Sequence, residues 1–406
     1  MDTITRRRFL LASGVAATAT GGAALGLTDL LDTASDRDPA AGTLVLVTLY
    51  GGNDGLNTVI PYADPAYARA RPALAYPADQ VLDLDGTFGL NPALAGLHRL
   101  FRAGRLAVLH GVGYPKPDRS HFRSMDIWQT GRPDRPERTG WLGRWLDSVG
   151  GDPRLAVSFE PVLPPLLAGA TSAGATVTGA TVRLAADQLR TLGQPAPGES
   201  PLRARAAACF TDLVRVQEMV RDLAAPDENE PDDAAPATAT GGSAQPLDAQ
   251  LALVARCVEA GAATRVYSVS LGGFDLHADE RKAQESQLAK LDRPLTAFVE
   301  RMAGTEPGRR VTVVVYSEFG RRVTANASDG TDHGTASPVL LLGAGVTGGL
   351  YGTPPSLTDL DQGDLKHTTD FRNVYATLLS DVLDTDPARI LHGWTVPDSF
   401  HYGRRP

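Results

Sequence analysis

Residues 43–62 read TLVLVTLYGGNDGLNTVIPY. TLVLVTL is a near-continuous apolar run, as expected of a strand buried on both faces of a parallel sheet. It stops abruptly at Gly51, Gly52, Asn53 and Asp54. Four further runs share that character: LAVLHGVG (106–113), RVYSVSL (265–271), VTVVVYS (311–317) and PVLLLGAG (338–345). Helical patterns lie between and around them, over 120–130, 200–224, 247–261, 279–303 and 370–384. That alternation predicts an α/β fold with a largely parallel central sheet and helices on both faces.

The 406 residues, 42% hydrophobic with 42 Gly and 29 Pro, suffice for a substantial core. We read residues 43–395 as one α/β domain. Inside it, APDENEPDDAAPATATGGSAQP (225–246) has no apolar side chain larger than alanine and reads as a disordered acidic loop. A net charge of −8, with no basic block beyond the first residues, argues against nucleic acid as a partner. Cys209 and Cys257 lie in two helical patterns flanking that loop, which suits either a disulfide across a helical hairpin or two buried thiols.

The first residues, TRRRFLLASGVAATATGGAALGL, pair arginines with a short, Ala/Gly-rich apolar run. This reads as a twin-arginine signal peptide over 1–35, with the translocase as a transient partner. The expected destination is the periplasm, cell envelope or exterior. The run is too short and glycine-rich for a bilayer span, and no later stretch is apolar enough for a permanent one.

In open α/β sheets, ligands collect beyond the carboxyl ends of the parallel strands. There the sequence places Asp54; Ser120 and His121 at a helix start; Asp275 and His277 in GGFDLH; and Glu318 and Arg321 in SEFGRR. Asp332 and His333 in TDHG precede the last strand. Carboxylates with imidazoles suit zinc, manganese or iron; carboxylates with water suit magnesium or calcium. Taken singly, Asp54 fits an Asx turn or cap better than a ligand, Ser120 fits an N-cap, and Arg321 a solvated surface equally well. His98, His367, His392 and His401 read as surface or packing residues.

Taken in order, TRRRFL, GGNDGLNTVIPYADPAYARARPAL, DRSHF, GGFDLH, SEFGRR, DHGTASPVLLLGAGVTGGLYG and TDFRNVYATLL resemble the exported proteins of the domain-of-unknown-function 1501 family. That family in turn resembles the alkaline phosphatase superfamily, alongside sulfatases and cofactor-independent phosphoglycerate mutases. The resemblance covers most of 43–140 and 262–385 and implies an alkaline-phosphatase-like fold. It implies one or two divalent ions (zinc, manganese, magnesium or calcium) held by Asp54, Asp275, His277, Glu318 and His333. Ser120 would be the nucleophile, and Arg321 a fork to the ester's non-bridging oxygens. Phe319 stands where the superfamily places a histidine, so Asp332 or His121 would have to complete a second site. SHFRS lacks the proline of the sulfatase motif.

The expected activity is hydrolysis of a phosphate or related ester, on a small-molecule or polymer substrate. The alternative is an exported binding or assembly protein with a degenerate metal site. A serine esterase is disfavoured, because no GDS serine precedes GGND and no G-x-S-x-G elbow occurs. A nicotinamide enzyme is disfavoured because GGNDGLN is not G-x-G-x-x-G.

Overall fold

The computed structural model describes residues 23–24, 38, 40–160, 162–177, 242–243 and 245–395. The strands of the main sheet are, in chain order, Ala23–Ala24 (β1), Thr43–Leu49 (β2), Leu106–Gly113 (β3), Ala156–Ser158 (β4), Ala175–Thr176 (β5), Val266–Leu271 (β6), Val311–Ser317 (β7), Ser337–Leu342 (β8), Gly349–Tyr351 (β9) and Thr369–Asp370 (β10). Their spatial order is β1-β5-β4-β6-β2-β7-β8-β3-β9, with β10 also paired to β3. Every pairing is parallel except the two made by β8, which lies antiparallel between β7 and β3.

Side chains alternate across a strand, and β2 shows the result. Val45, Val47 and Leu49 enter one core cluster, while Leu44 and Leu46 enter another. The first cluster is closed by helices Ala95–Arg102 (α1), Leu247–Glu259 (α4) and Glu280–Ala303 (α5), through Leu97, Val254, Leu288 and Leu295. The second is closed by His121–Thr130 (α2), Trp141–Ser148 (α3) and Phe371–Asp381 (α6), through Trp128, Trp141 and Tyr375. Trp128 stacks on Tyr316 of β7 at 5.1 Å between ring centroids. Burial of each such side chain stabilises by about 1.5–3 kcal/mol, so both faces of β2 hold the sheet in the interior.

The five expected strands form, β8 ending at Leu342 rather than 345. Nearly all of the expected signal segment 1–35, the pattern over 200–224, nearly all of the acidic segment 225–246, Cys209 and His401 lie outside the described residues. Cys257 is a buried free thiol, pushed up to about 11 by burial. Among the described residues, no helix is long and apolar enough to cross a membrane.

The reversal of β8 decides where the site forms. Parallel strands β6 and β7 deliver residues after their carboxyl ends, whereas antiparallel β8 delivers residues before its start to the same edge. Pairing continues past the strand ends: Arg321 bridges His333, and the Arg322 amide donates to the Asp332 carbonyl at 3.0 Å. His333 is therefore held in register with the segment after β7, facing Asp275 from the segment after β6.

Candidate metal centre

Asp275 is the hub. Its Oδ1 lies 2.9 Å from His277 Nε2, 3.1 Å from His333 Nε2 and 2.9 Å from Arg321 Nη2, while Oδ2 lies 3.4 Å from His121 Nε2. Burial alone would raise this carboxyl. The hydrogen bond and charge of the buried Arg321 guanidinium work against that and hold the group below the ordinary carboxylate range. Asp275 is a carboxylate at any working pH.

Two of the imidazoles have their tautomers fixed from behind. His333 Nδ1 is 2.8 Å from the Arg119 carbonyl, which can only accept, so Nδ1 carries the proton and Nε2 a lone pair. Burial lowers the pKa of His333, favouring that neutral form. His121 Nδ1 likewise donates to Glu318 Oε1 at 2.8 Å. Its Nε2 is buried without a hydrogen-bond partner. Two nitrogen lone pairs thus face one carboxylate, and His277 Nε2 sits 3.1 Å from His333 Nε2. Such a set repels itself unless a cation lies among its members. The donors of His121, Asp275 and His333 all fall within 4.8 Å of one another, the single such grouping among the described residues. Nitrogen donors with one carboxylate fit zinc or manganese better than magnesium or calcium.

Glu318 takes a different part from the expected one. It is fully buried; Oε1 accepts from His121 and from the Gly51 amide at 2.9 Å, and Oε2 lies 2.9 Å from Ser317 Oγ. It is the carboxylate behind the candidate ligand His121, the arrangement that orients imidazoles at metals. Ser124, one turn along α2 from His121, donates to the Glu318 carbonyl at 2.5 Å and fixes the helix against this segment. Phe319 packs its ring 4.9 Å from both His121 and His333.

Asp54 and Arg321 also depart from expectation. Asp54 is buried, with Oδ2 ion-paired to the buried Arg71 and Oδ1 accepting from the Leu56 amide at 3.2 Å as the cap of a short 3-10 turn. Its carboxylate is committed to the fold and points at Arg71, not at Asp275. Arg321 is buried too. It donates to the carbonyls of Gly52 (2.6 Å), Thr331 (3.0 Å), Phe274 (3.0 Å) and Gly51, besides Asp275. With its donors occupied by the protein, Arg321 cannot fork onto a substrate; it positions Asp275 and the glycine turn. That turn explains GGND. A Cβ on Gly51 would come within 2.5 Å of the Asp275 amide, and one on Gly52 within 2.2 Å of the Phe319 ring.

Ser120 is exposed at the N-cap of α2, its hydroxyl making no capping bond. Asp332 Oδ1 is 3.7 Å from His277 Nδ1. The residue that sequence reasoning undervalued is His121, which it kept only as a substitute ligand. Its signal was the placement of Ser120-His121 at a helix start after β3. A cleft of about 720 Å³ borders the cluster, lined by Arg119, Phe319 and Thr335, with Lys116, Lys366 and His367.

The model of the family described as protein of unknown function (DUF1501) matches residues 107–393. The chain belongs to the DUF1501 family. Among the curated proteins nothing matches it. Among solved structures this DUF1501 chain is similar to Ps i-CgsB, at 12% identity and a TM-score of 0.42, over 87% of this chain and 74% of that one. It is similar to a protein in the alkaline phosphatase superfamily from Vibrio parahaemolyticus, at 10% identity and 0.39, over 87% and 74%. A third is the phosphonate monoester hydrolase SpPMH from Silicibacter pomeroyi, at 9% identity and 0.36, over 89% and 78%. TM-scores below 0.5 leave the function to be argued from this chain's own side chains.

Proposed function

We propose that this DUF1501 protein is an exported, metal-dependent hydrolase of phosphate or related esters, with residues 43–395 as its catalytic domain. The observation that carries the reading is the pair of tautomer-fixed imidazoles, His121 and His333, whose Nε2 atoms face the Asp275 carboxylate. His277 is the fourth donor. When bound, a divalent ion supplies Lewis acidity and lowers the pKa of a coordinated water or hydroxyl. The chain's own residues do the rest. Glu318 and the Arg119 carbonyl hold the two imidazoles, and Arg321 holds Asp275. Ser120, or a water in the cleft, is assigned the attack on the ester. The N-terminus of the ten-residue α2 favours negative charge on an oxygen placed there. The cleft, with Lys116 and Lys366 among its walls, suits an anionic small molecule or polymer end. Residues 1–35 are assigned as the twin-arginine signal.

One observation favours the non-catalytic alternative. Arg321 is occupied by carbonyls and Asp275, so the guanidinium expected to fork onto the ester is not spare for it. One experiment separates the readings. Full-length protein is purified without chelator, its metal measured by plasma mass spectrometry, and p-nitrophenyl phosphate and sulfate hydrolysis assayed beside Asp275→Asn and Ser120→Ala. Near-stoichiometric metal lost in Asp275→Asn, with turnover lost in both variants, is the expected outcome. A wild type that holds no metal after incubation with zinc and manganese would sink the hydrolase reading.

A further inference from the structure

A second cavity, of about 330 Å³, shares Arg321 with the metal centre but none of its ligands. Its polar centre is His110, which β3 presents in an unusual way. Strand β3 pairs with β8 as Val112↔Ser337 and Leu109↔Val339, so Pro338 alone faces two residues, His110 and Gly111. Pro338 has no amide to donate to the ladder, and a bulge of this kind re-aims side chains. Gly111 takes φ +60 there, and a Cβ on it would lie 2.0 Å from Thr368 Oγ1. The strand is thus bent at a position where only glycine fits, and the residue before the bend lines the cavity.

His110 is 5% exposed, and its Nε2 is buried with no hydrogen-bond partner. Its ring packs 4.6 Å from Phe88. Around it the walls are stiff and apolar, with Pro61, Pro338, Pro354 and Pro355. Buried polar atoms in native proteins are almost always paired, and an orphan needs a reason. The volume falls at the small end of ligand pockets, which run from about 300 to 1,000 Å³.

We propose that this cavity is a binding site for a small, uncharged, largely apolar molecule carrying one hydroxyl or comparable group, which pairs with His110 Nε2. The absence of charge follows from the lining. The guanidinium of Arg321 is held by backbone carbonyls and Asp275, and Asp64 repels anions. Burial holds His110 down at about 4, so the ring is neutral and offers one hydrogen bond rather than a charge.

The test is titration calorimetry on the full-length protein at neutral pH with three probes of one shape: 4-ethylphenol, ethylbenzene and 4-ethylbenzoate. The expected result is binding of 4-ethylphenol about tenfold tighter than ethylbenzene, the worth of one hydrogen bond, and no binding of 4-ethylbenzoate. His110→Leu removes the preference for the phenol, and Leu357→Trp, which fills the cavity, removes both ligands. A cooperative melt close to that of the wild type in both variants shows that the fold has survived. Independently of any variant, 4-ethylphenol shifts the ¹⁵N resonance of His110 Nε2 in histidine-labelled protein. No binding of 4-ethylphenol at millimolar concentration, an unmoved His110 resonance, or a preference that persists in His110→Leu overturns the proposal.

Discussion

Asp54→Asn separates a metal ligand from a folding residue, because the two roles move different observables. In the structure Asp54 and Arg71 are both fully buried, and Arg71 otherwise reaches only the carbonyls of Val323 (2.9 Å) and Arg322 (2.6 Å). Asparagine keeps the shape and the cap to Leu56 but removes the charge, leaving a guanidinium in the interior without its counter-ion. Breaking a buried pair from one side costs about 3–5 kcal/mol, much of it the stranded charge. Glu280 sets the lower end of that range. Burial first, and then the Asp54 charge, push it up to about 8, so it is mostly protonated at pH 7. Once Asp54 is neutral, Glu280 ionises more readily and compensates part of the Arg71 charge. A protein of this length loses about 2 °C of Tm per kcal/mol, so the midpoint should fall by roughly 6–10 °C. Calorimetry gives the midpoint, and plasma mass spectrometry of the folded fraction gives the metal. Arg71→Met added to Asp54→Asn should recover part of the loss, since no lone charge is then buried. Loss of bound metal from Asp54→Asn with a midpoint within about 2 °C of wild type would refute this account.

Three other perturbations test other parts of the structure. Glu318→Gln should weaken metal binding by about 10–100-fold, read by competition with a chromophoric chelator, because it loosens the group that orients His121; unchanged affinity would remove Glu318 from the site. Gly52→Ala should cost about 2–4 kcal/mol in urea unfolding, since φ is +72 and the new methyl meets the Phe319 ring; Phe319→Leu in the same chain should return part of that. Glu160 is buried, which raises its pKa to about 7 despite hydrogen bonds from Ser268, Tyr50 and Ser270. The folded state therefore keeps a proton that the unfolded chain releases above about pH 4.5. Stability should fall as pH rises from about 4.5 to 7, then level off, by up to about 3 kcal/mol. Glu160→Gln should abolish that slope, measured as Tm against pH.

The strands were legible because they are buried on both faces and so stand out as unbroken apolar runs between glycine-rich stops. Asp275, His277 and His333 were legible as a cluster because sheet topology brings strand ends to one edge whatever the loops do. The individual roles were less visible. A polar residue at that edge is equally well a ligand or a buried structural partner, and only the fold reveals Arg71 beside Asp54. The same holds for Arg321, where the sequence shows a cation near acids but not the ring of carbonyls around it. Glu318 follows its strand as a ligand would, yet the turn of the chain places His121 between it and the site. His121 itself belongs to the strand-end set but opens a helix beside Ser120, a position that suits a nucleophile or a cap as well as a ligand.

The antiparallel strand has a consequence for assembly. Thr43–Leu49, Val266–Leu271 and Val311–Ser317 form one block, and Leu106–Gly113 with its two short companions forms another. Ser337–Leu342 is the seam between them, although it is made more than two hundred residues after Leu106. The early strand Leu106–Gly113, which leads to His121, must therefore wait for late strands at both of its edges, and such long-range closure is slow. The candidate ligands straddle the same seam: His121 follows the strand on one side, Asp275 follows a strand on the other, and His333 leads into the seam itself. An ion bound there would act as a rivet, its affinity adding directly to the stability of the joined sheet. A chain cut before the seam would lose its rivet together with its join.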